Sequence, residues 1–469
     1  MVLCVSGTGS TCDELSPFLT ILDPAASSWV QRWNRIAIDT AGLDHTPVAK
    51  GEIRTFGHQL GPGRSSRAMA IVHIAIFDAI NAIVGEYESY TGIDPAPPNT
   101  SMKAAVSQAA HDTLIALYPS HANRIAEELA SDLEHIAPGQ SRENGIELGH
   151  KAAAAILALR QNDGAELPED YVFSDEPGHW RRDPINPDQA SLGSQWGKTQ
   201  TFVLSRADQF RCPPPPPMTS KEYADAYAEA KEVGGDGITT PTVRTPEQSE
   251  IGIFWAYDGT PSLCAPPRLY NQIAVQIARK RGLNVVEMGR LLALVNIAMA
   301  DAGVAIWESK YYYNFWRPVT AIRESDPNTG PTGLGDGNPD TVGDVNFTPF
   351  GAPLTNGSGP NFTPPFPAYP SGHAGFGGAL FETLRNYFGT DNIPFTFVSD
   401  ELNGETRDSE GNVRPLVPRT FNSLSEAEEE NGQSRIYLGI HWRFDKVEGI
   451  VQGNRVADFV FANVYQPIR

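Results

Sequence analysis

The sequence predicts a mainly α-helical fold made of helix bundles joined by long loops. Apolar residues recur at helical spacing through most of the chain. Alternating β patterns are scarce and short. Proline and glycine gather in two stretches that interrupt the helical pattern. In chain order, Ser65–Ile83 is apolar on most faces and reads as a central helix. Ser101–Tyr118, Ala122–Ile136 and Ser141–Arg160 are more amphipathic and follow as further helices. Ser220–Glu232, Pro246–Ala256, Leu269–Arg281 and a long element from Asn284 to about Asn314 continue the pattern. Ala374–Phe388, Ser425–Leu438 and Trp442–Val464 close it. Small hairpins are expected in Phe395–Asp400 and Glu405–Val417, where Asp-Ser-Glu-Gly supplies a turn.

The first loop, Cys212–Met218, holds five consecutive prolines and is stiff. It reads as the connector between two approximate halves, 1–211 and 219–469, of a single helical domain. The second, Asp326–Pro370, is rich in Gly, Pro, Asn and Asp. Its length inside a compact chain points to function. Within it Asp336-Gly-Asn338-Pro-Asp340 resembles the opening of a calcium loop. It lacks the Gly at the sixth position and the closing Glu, which counts against calcium.

A formal charge of −20 makes nucleic acid and anionic membrane unexpected partners. Against that background, a place that gathers Lys and Arg reads as an anion site. The four cysteines, Cys4, Cys12, Cys212 and Cys264, form no CxxC pair, so a zinc site is not expected; disulfides are neither required nor ruled out. The chain start has no basic n-region and too short an apolar run for a signal peptide. No uncharged apolar run approaches the roughly 20 residues that span a bilayer. A soluble protein is therefore expected, with a secreted or periplasmic home left open.

Three separated segments carry the chemistry. In Lys310-Tyr-Tyr-Tyr-Asn-Phe-Trp-Arg317-Pro318, the two cations stand seven apart. On one helix they would face the same way, with Pro318 ending that helix and Trp307 adjacent to Lys310. Taken alone, this is an exposed basic stripe beside a core aromatic. In Pro370-Ser371-Gly372-His373-Ala374 a Ser-Gly turn opens an apolar helix. A helix N-terminus offers unpaired N–H groups to an oxyanion, Gly372 lets the anion approach, and His373 sits above it. The plain alternative is an ordinary Ser N-cap. In Ser434-Arg435-(five residues)-His441-(three residues)-Asp445, the last two form an i,i+4 pair. The carboxylate would hold one ring nitrogen and leave the other as ligand or nucleophile, and Arg435 adds a bidentate donor. The plain alternative is a surface His–Asp pair.

Together the segments match K-x6-R-P, P-S-G-H and S-R-x5-H-x3-D in order and spacing. The sequence thereby resembles the superfamily shared by vanadium haloperoxidases and type 2 phosphatidic-acid-type acid phosphatases. Phe254-Trp-Ala-Tyr-Asp258 and Phe366-Pro-Ala-Tyr-Pro-Ser-Gly-His373 are similar to the fungal chloroperoxidase members. Arg67-Ala-Met-Ala-Ile-Val-His73 is similar to bacterial ones. The resemblance implies two four-helix bundles related by a pseudo-repeat. It implies a vanadate-dependent haloperoxidase that oxidises bromide, and chloride, with hydrogen peroxide to hypohalous acid. An organic acceptor is compatible with it, and phosphate could occupy the same site.

It also implies the roles. His441 is the ligand to vanadium. Lys310, Arg317 and Arg435 neutralise the vanadate oxygens, and Ser371 and the Gly372 N–H hydrogen-bond to them. Lys310 further polarises the bound peroxide, and His373 is the acid–base group. Asp258 buttresses Arg435, Asp445 holds His441, and Trp307 and Phe366 stand on the halide side, where bromoperoxidases tend to carry a histidine in place of Phe366. The rival is an acid phosphatase with His441 as nucleophile, His373 as leaving-group acid and Asp445 as orienting carboxylate. An inert, phosphate-binding helical protein is a third reading. The remaining histidines carry no motif: His73, in an apolar helix, reads as a satisfied core residue, and His58, His111 and His179 as structural or surface.

Overall fold

The computed structural model describes residues 25–468. Cys4, Cys12 and the chain start lie outside the described residues. Thirteen α-helices, three short 3₁₀ helices and one two-stranded sheet make up the regular structure among them. The N-terminal half holds α1 (Ser27–Asp44), α2 (Gly61–Val84), α3 (Met102–Leu117), α4 (Ala122–Glu134) and α5 (Gln140–Leu159). Next come α6 (Lys221–Gly234), α7 (Pro246–Phe254), α8 (Pro266–Arg281), α9 (Val285–Tyr313) and α10 (Pro318–Glu324). After the long loop follow α11 (Gly372–Phe388), β1 (Phe395–Asn403), β2 (Leu416–Phe421), α12 (Leu424–Tyr437) and α13 (Arg443–Asn463).

Two groups of helices pack side by side. In one, α2 lies against α3 and α5; in the other, α11 and α13 form a tight pair flanked by α9 and α12. The long α9 contacts both groups through α2, α11 and α13. Its ends are set by sequence: Asn284 caps the start in a box with Glu287, and Asn314 in the left-handed region stops it. α2 and α9 are long and apolar enough to cross a membrane, yet 78% and 94% of their apolar windows are buried by protein. They are the core helices of the two groups.

Glycines bring α11 and α13 together. A Cβ on Gly453 would stand 2.1 Å from the Gly375 carbonyl oxygen, and one on Gly449 2.6 Å from that of Ser371. Only Gly permits this approach. It seats the first turn of α11 on the first turn of α13, where the Ser371 N–H donates to the Asp445 carbonyl at 2.9 Å.

Three expectations are corrected. The stretch from Lys310 to Arg317 is not one helix. α9 ends at Tyr313, and Pro318 opens α10 at its first position with Arg317 as an extended N-cap. The Pro318 ring bars Arg317 from helical geometry while suiting a helix start. His441 and Asp445 do not share a helical face either. His441 precedes α13, and Asp445 is the third residue of that helix. Finally, Phe395–Asp400 and Glu405–Val417 are not separate hairpins. β1 pairs antiparallel with β2, Phe395 opposite Phe421, with an irregularity between Val398 and Asn403. The Asp408–Gly411 turn closes only an isolated bridge between Arg407 and Val413 inside the connection. The polar 405–413 segment has no apolar face to pin its register. Two helices, α1 and α10, were not anticipated from the sequence.

Candidate active site

The three predicted segments converge beneath a cavity of about 280 Å³. Gly372, His373, Arg435, His441, Asp258, Trp307 and Phe366 line it. Lys310, Arg317 and Ser371 lie behind them, all buried.

Lys310, in the last turn of α9, donates to the carbonyls of Pro367 and Ala368 at 2.8 and 2.9 Å. Its Nζ stands 5.2 Å from the Phe366 ring centre and 5.7 Å from that of Trp307. Arg317 Nε donates to the Phe366 carbonyl at 2.9 Å, and Nη1 reaches the Ile440 carbonyl at 2.8 Å and His441 Nε2 at 2.9 Å. Arg435, in the last turn of α12, donates through Nη2 to Asp258 Oδ1 at 2.6 Å. Arg317 Nη2 and both Nε and Nη1 of Arg435 are buried and have no hydrogen-bond partner among the described residues.

Ser371 caps α11, its hydroxyl accepting from the Ala374 N–H at 3.4 Å, and Gly372 is the first helical residue. Gly372 and His373, at the start of that helix, line the cavity. His441 Nδ1 lies 2.7 Å from Asp445 Oδ2, which also accepts the Trp442 N–H at 3.0 Å. Arg317 can only donate, so Nε2 is the lone-pair nitrogen, engaged by that guanidinium N–H, and Nδ1 carries the proton toward Asp445. His373 Nε2 donates to the Ala256 carbonyl and lies 3.9 Å from Asp258 Oδ1. A carbonyl can only accept, so its basic nitrogen is Nδ1.

The electrostatics follow from burial and crowding. Burial, then Arg317 beside it, holds the Lys310 amine well below its ordinary value. Burial lowers Arg317 to about 9, partly offset by Asp445. Burial and the nearby cations hold His373 and His441 well below the usual imidazole range, so both are neutral. Burial lifts Asp445 to about 7 and raises Asp258 against the pull of Arg435. A ring of buried cations with free N–H groups is costly without a counter-charge and suits a small oxyanion. Vanadate and phosphate, both tetrahedral oxyanions, fit these donors.

Sequence reasoning missed the backbone acceptors Ala256, Phe366, Pro367, Ala368 and Ile440, which carry no side-chain signature. It also missed the cavity walls His45, Phe56, Leu60, Gln189 and Leu192, which come from the N-terminal half. His73 is a satisfied core residue as expected, its Nδ1 2.9 Å from the Met69 carbonyl. Asp336 is used internally by the Asn338 N–H and the Thr341 hydroxyl, and no metal-binding cluster of His, Cys, Asp or Glu occurs among the described residues. Cys212 and Cys264 are free and buried.

Fold and site together define a helical-bundle protein with a buried cluster of cationic and imidazole side chains at the floor of a cavity. A family model described as the VCPO second helical-bundle domain matches residues 290–469. Vanadium chloroperoxidase of Curvularia inaequalis is 32% identical over 501 residues, covering 89% of this chain and 79% of that protein. A bacterial vanadium-dependent iodoperoxidase has a similar structure, with TM-score 0.71 and 24% identity over 92% of this chain and 96% of the other. A holo-type bacterial vanadium-dependent chloroperoxidase gives TM-score 0.64 and 16% identity over 86% and 92% of the two chains. At the identity and coverage of the Curvularia protein, this chain belongs to the vanadium haloperoxidase family, oxidoreductases that use peroxide.

Proposed function

We propose that the protein binds vanadate and oxidises halide with hydrogen peroxide to hypohalous acid, acting on bromide and also on chloride. The observation that carries this reading is the set of partnerless N–H groups on Arg317 and Arg435 around an imidazole whose Nδ1 is held by Asp445. Arg317, Arg435 and Lys310 would neutralise the oxyanion, the Gly372 N–H and Ser371 would orient it, and His441 Nε2 would ligate it. When bound, vanadate supplies a Lewis-acidic centre that activates hydrogen peroxide.

The chain's own residues handle the rest. His373, neutral and tethered through Nε2–H, offers Nδ1 to the peroxide proton, a contribution typically of about 10²–10⁴-fold. Trp307 and Phe366, with ring centres 4.9 Å apart, wall one side of the cavity and exclude water. In that low-dielectric setting the ammonium form of Lys310, favoured once an anion binds beside it, would act at greater strength, which favours the harder oxidation of chloride. Halogenation of monochlorodimedone by peroxide, with and without added vanadate, tests the proposal. Vanadate-dependent turnover with bromide and chloride is expected; phosphomonoester hydrolysis without it would support the phosphatase reading instead.

A further inference from the structure

The β1–β2 hairpin lies outside both helix groups, yet three consecutive residues of β1 grip the turn that follows α7. The Ser399 hydroxyl donates to the Phe254 carbonyl at 2.6 Å. The Asp400 N–H donates to the Tyr257 hydroxyl at 2.6 Å, which itself donates to Gln272 at 3.1 Å. The Glu401 carboxylate accepts the Tyr257 N–H through Oε1 at 3.0 Å. Its Oε2 is held by Arg414 and by the Thr355 hydroxyl, and Arg414 also donates to Thr355 at 2.8 Å. Glu401 is fully buried and does not line the cavity.

The turn so held is strained and sits against the chemistry. Tyr257 has φ +46°, a conformation that costs a non-glycine residue energy and persists only where the surroundings impose it. On either side of Tyr257, the Ala256 carbonyl receives His373 Nε2–H and Asp258 receives Arg435. One backbone segment therefore sets both the tautomer of the acid–base histidine and the aim of an anion-binding arginine.

We propose that Glu401 is a positioning residue for the reaction, acting through the Tyr257 backbone to fix His373 and Arg435. The Arg414–Thr355 pair holds the carboxylate in register, so the hairpin is a clamp on the active site rather than a surface ornament. This rests on the roles proposed above for His373 and Arg435, and the test uses measurements that need no halide oxidation.

The test compares wild type with Glu401→Ala and Glu401→Gln, and with Thr396→Ala. Thr396 bonds Thr420 across the exposed face of the same hairpin, so its loss perturbs the hairpin without touching the turn. Phosphate binding to the vanadate-free protein is followed by calorimetry. The His373 tautomer is read by NMR of isotope-labelled histidine, assigned with His373→Gln. Glu401→Ala should weaken phosphate binding by about tenfold, the scale seen for residues supporting bound groups from behind. It should also move the His373 signal toward a mixture of tautomers. Glu401→Gln, which keeps an oxygen for Tyr257 but mispairs with Arg414, should have a smaller effect in the same direction. Thr396→Ala should change neither reading. If Glu401→Ala does not fold, Glu401→Gln decides. Lowered thermal stability with unchanged phosphate affinity and unchanged His373 signals would overturn the proposal and leave the hairpin a purely structural element. Wild type that binds phosphate but oxidises no halide would instead refute the proposed reaction, while leaving the clamp open to the same two readings.

Discussion

Replacing Arg435 by methionine separates what this residue does for the anion from what it does for the fold. Arg435 Nη2 pairs with Asp258, while Nε and Nη1 have no partner among the described residues. Two charge-assisted hydrogen bonds at about 1.5–3 kcal/mol each are therefore available to an oxyanion. Even the lower figure for both predicts a loss of about a hundredfold or more in affinity. The same substitution strands the Asp258 carboxylate in a buried site, which costs about 3–5 kcal/mol of stability. Adding Asp258→Asn removes the stranded charge and should recover most of that stability. It should not recover the affinity, because the donors are still missing. Vanadate and phosphate titrations by calorimetry, with urea unfolding of the same proteins, give both quantities. Affinity within threefold of wild type, or affinity restored by Asp258→Asn, would refute the assignment of the free guanidinium N–H groups to the anion.

Three further outcomes are expected. His441→Ala should abolish stable vanadate binding, whereas His373→Ala should keep vanadate bound and lose about 10²–10⁴-fold in turnover; binding isotherms beside steady-state rates distinguish them. Phe366→His should lower the chloride-to-bromide ratio by placing a polar group beside Lys310, and an unchanged ratio would make Phe366 mere packing. His73, buried and lowered to about 4, stays neutral in the folded state while its unfolded value is 6.5. The native state then binds fewer protons, so stability is full above pH 6.5 and is lost as pH falls toward 4, by about 3 kcal/mol for this group. Unfolding free energies of His73→Gln across that window should show a correspondingly flatter acid limb.

How much of this was legible depended on where each signal resides. The long apolar α9 was readable at both ends because Asn284 and Asn314 are cap residues and the helix is buried almost throughout. The pairing of His441 with Asp445 was readable from spacing, but its geometry was not. A helical i,i+4 pair stands four positions apart, and so do a residue before an N-cap and the third helical position. Lys310 and Arg317 raised the same ambiguity, and Pro318 resolved it in favour of a helix break. α10, at seven residues, is too short to show periodicity above noise. α1 does carry apolar residues at helical spacing, Trp33, Ile36, Ala37 and Ala41, and could have been found from them.

The parts that stayed hidden share one physical cause. Lys310 is held and aimed by the Pro367 and Ala368 carbonyls, Arg317 by those of Phe366 and Ile440, and His373 by that of Ala256. Every residue has a carbonyl, so composition cannot mark these positions. What concentrates them here is that the site lies where helices end: α9 stops at Tyr313, α10 and α11 begin at Pro318 and Gly372, and α13 begins at Arg443. Helix ends leave backbone groups unpaired by construction. Donors at the start of α11 suit the anion, and carbonyls of the segments before α11 and α13 hold the cations around it. A side-chain motif spread over three segments thus records the cations and imidazoles of the cradle, while its frame is written in where each helix starts and stops.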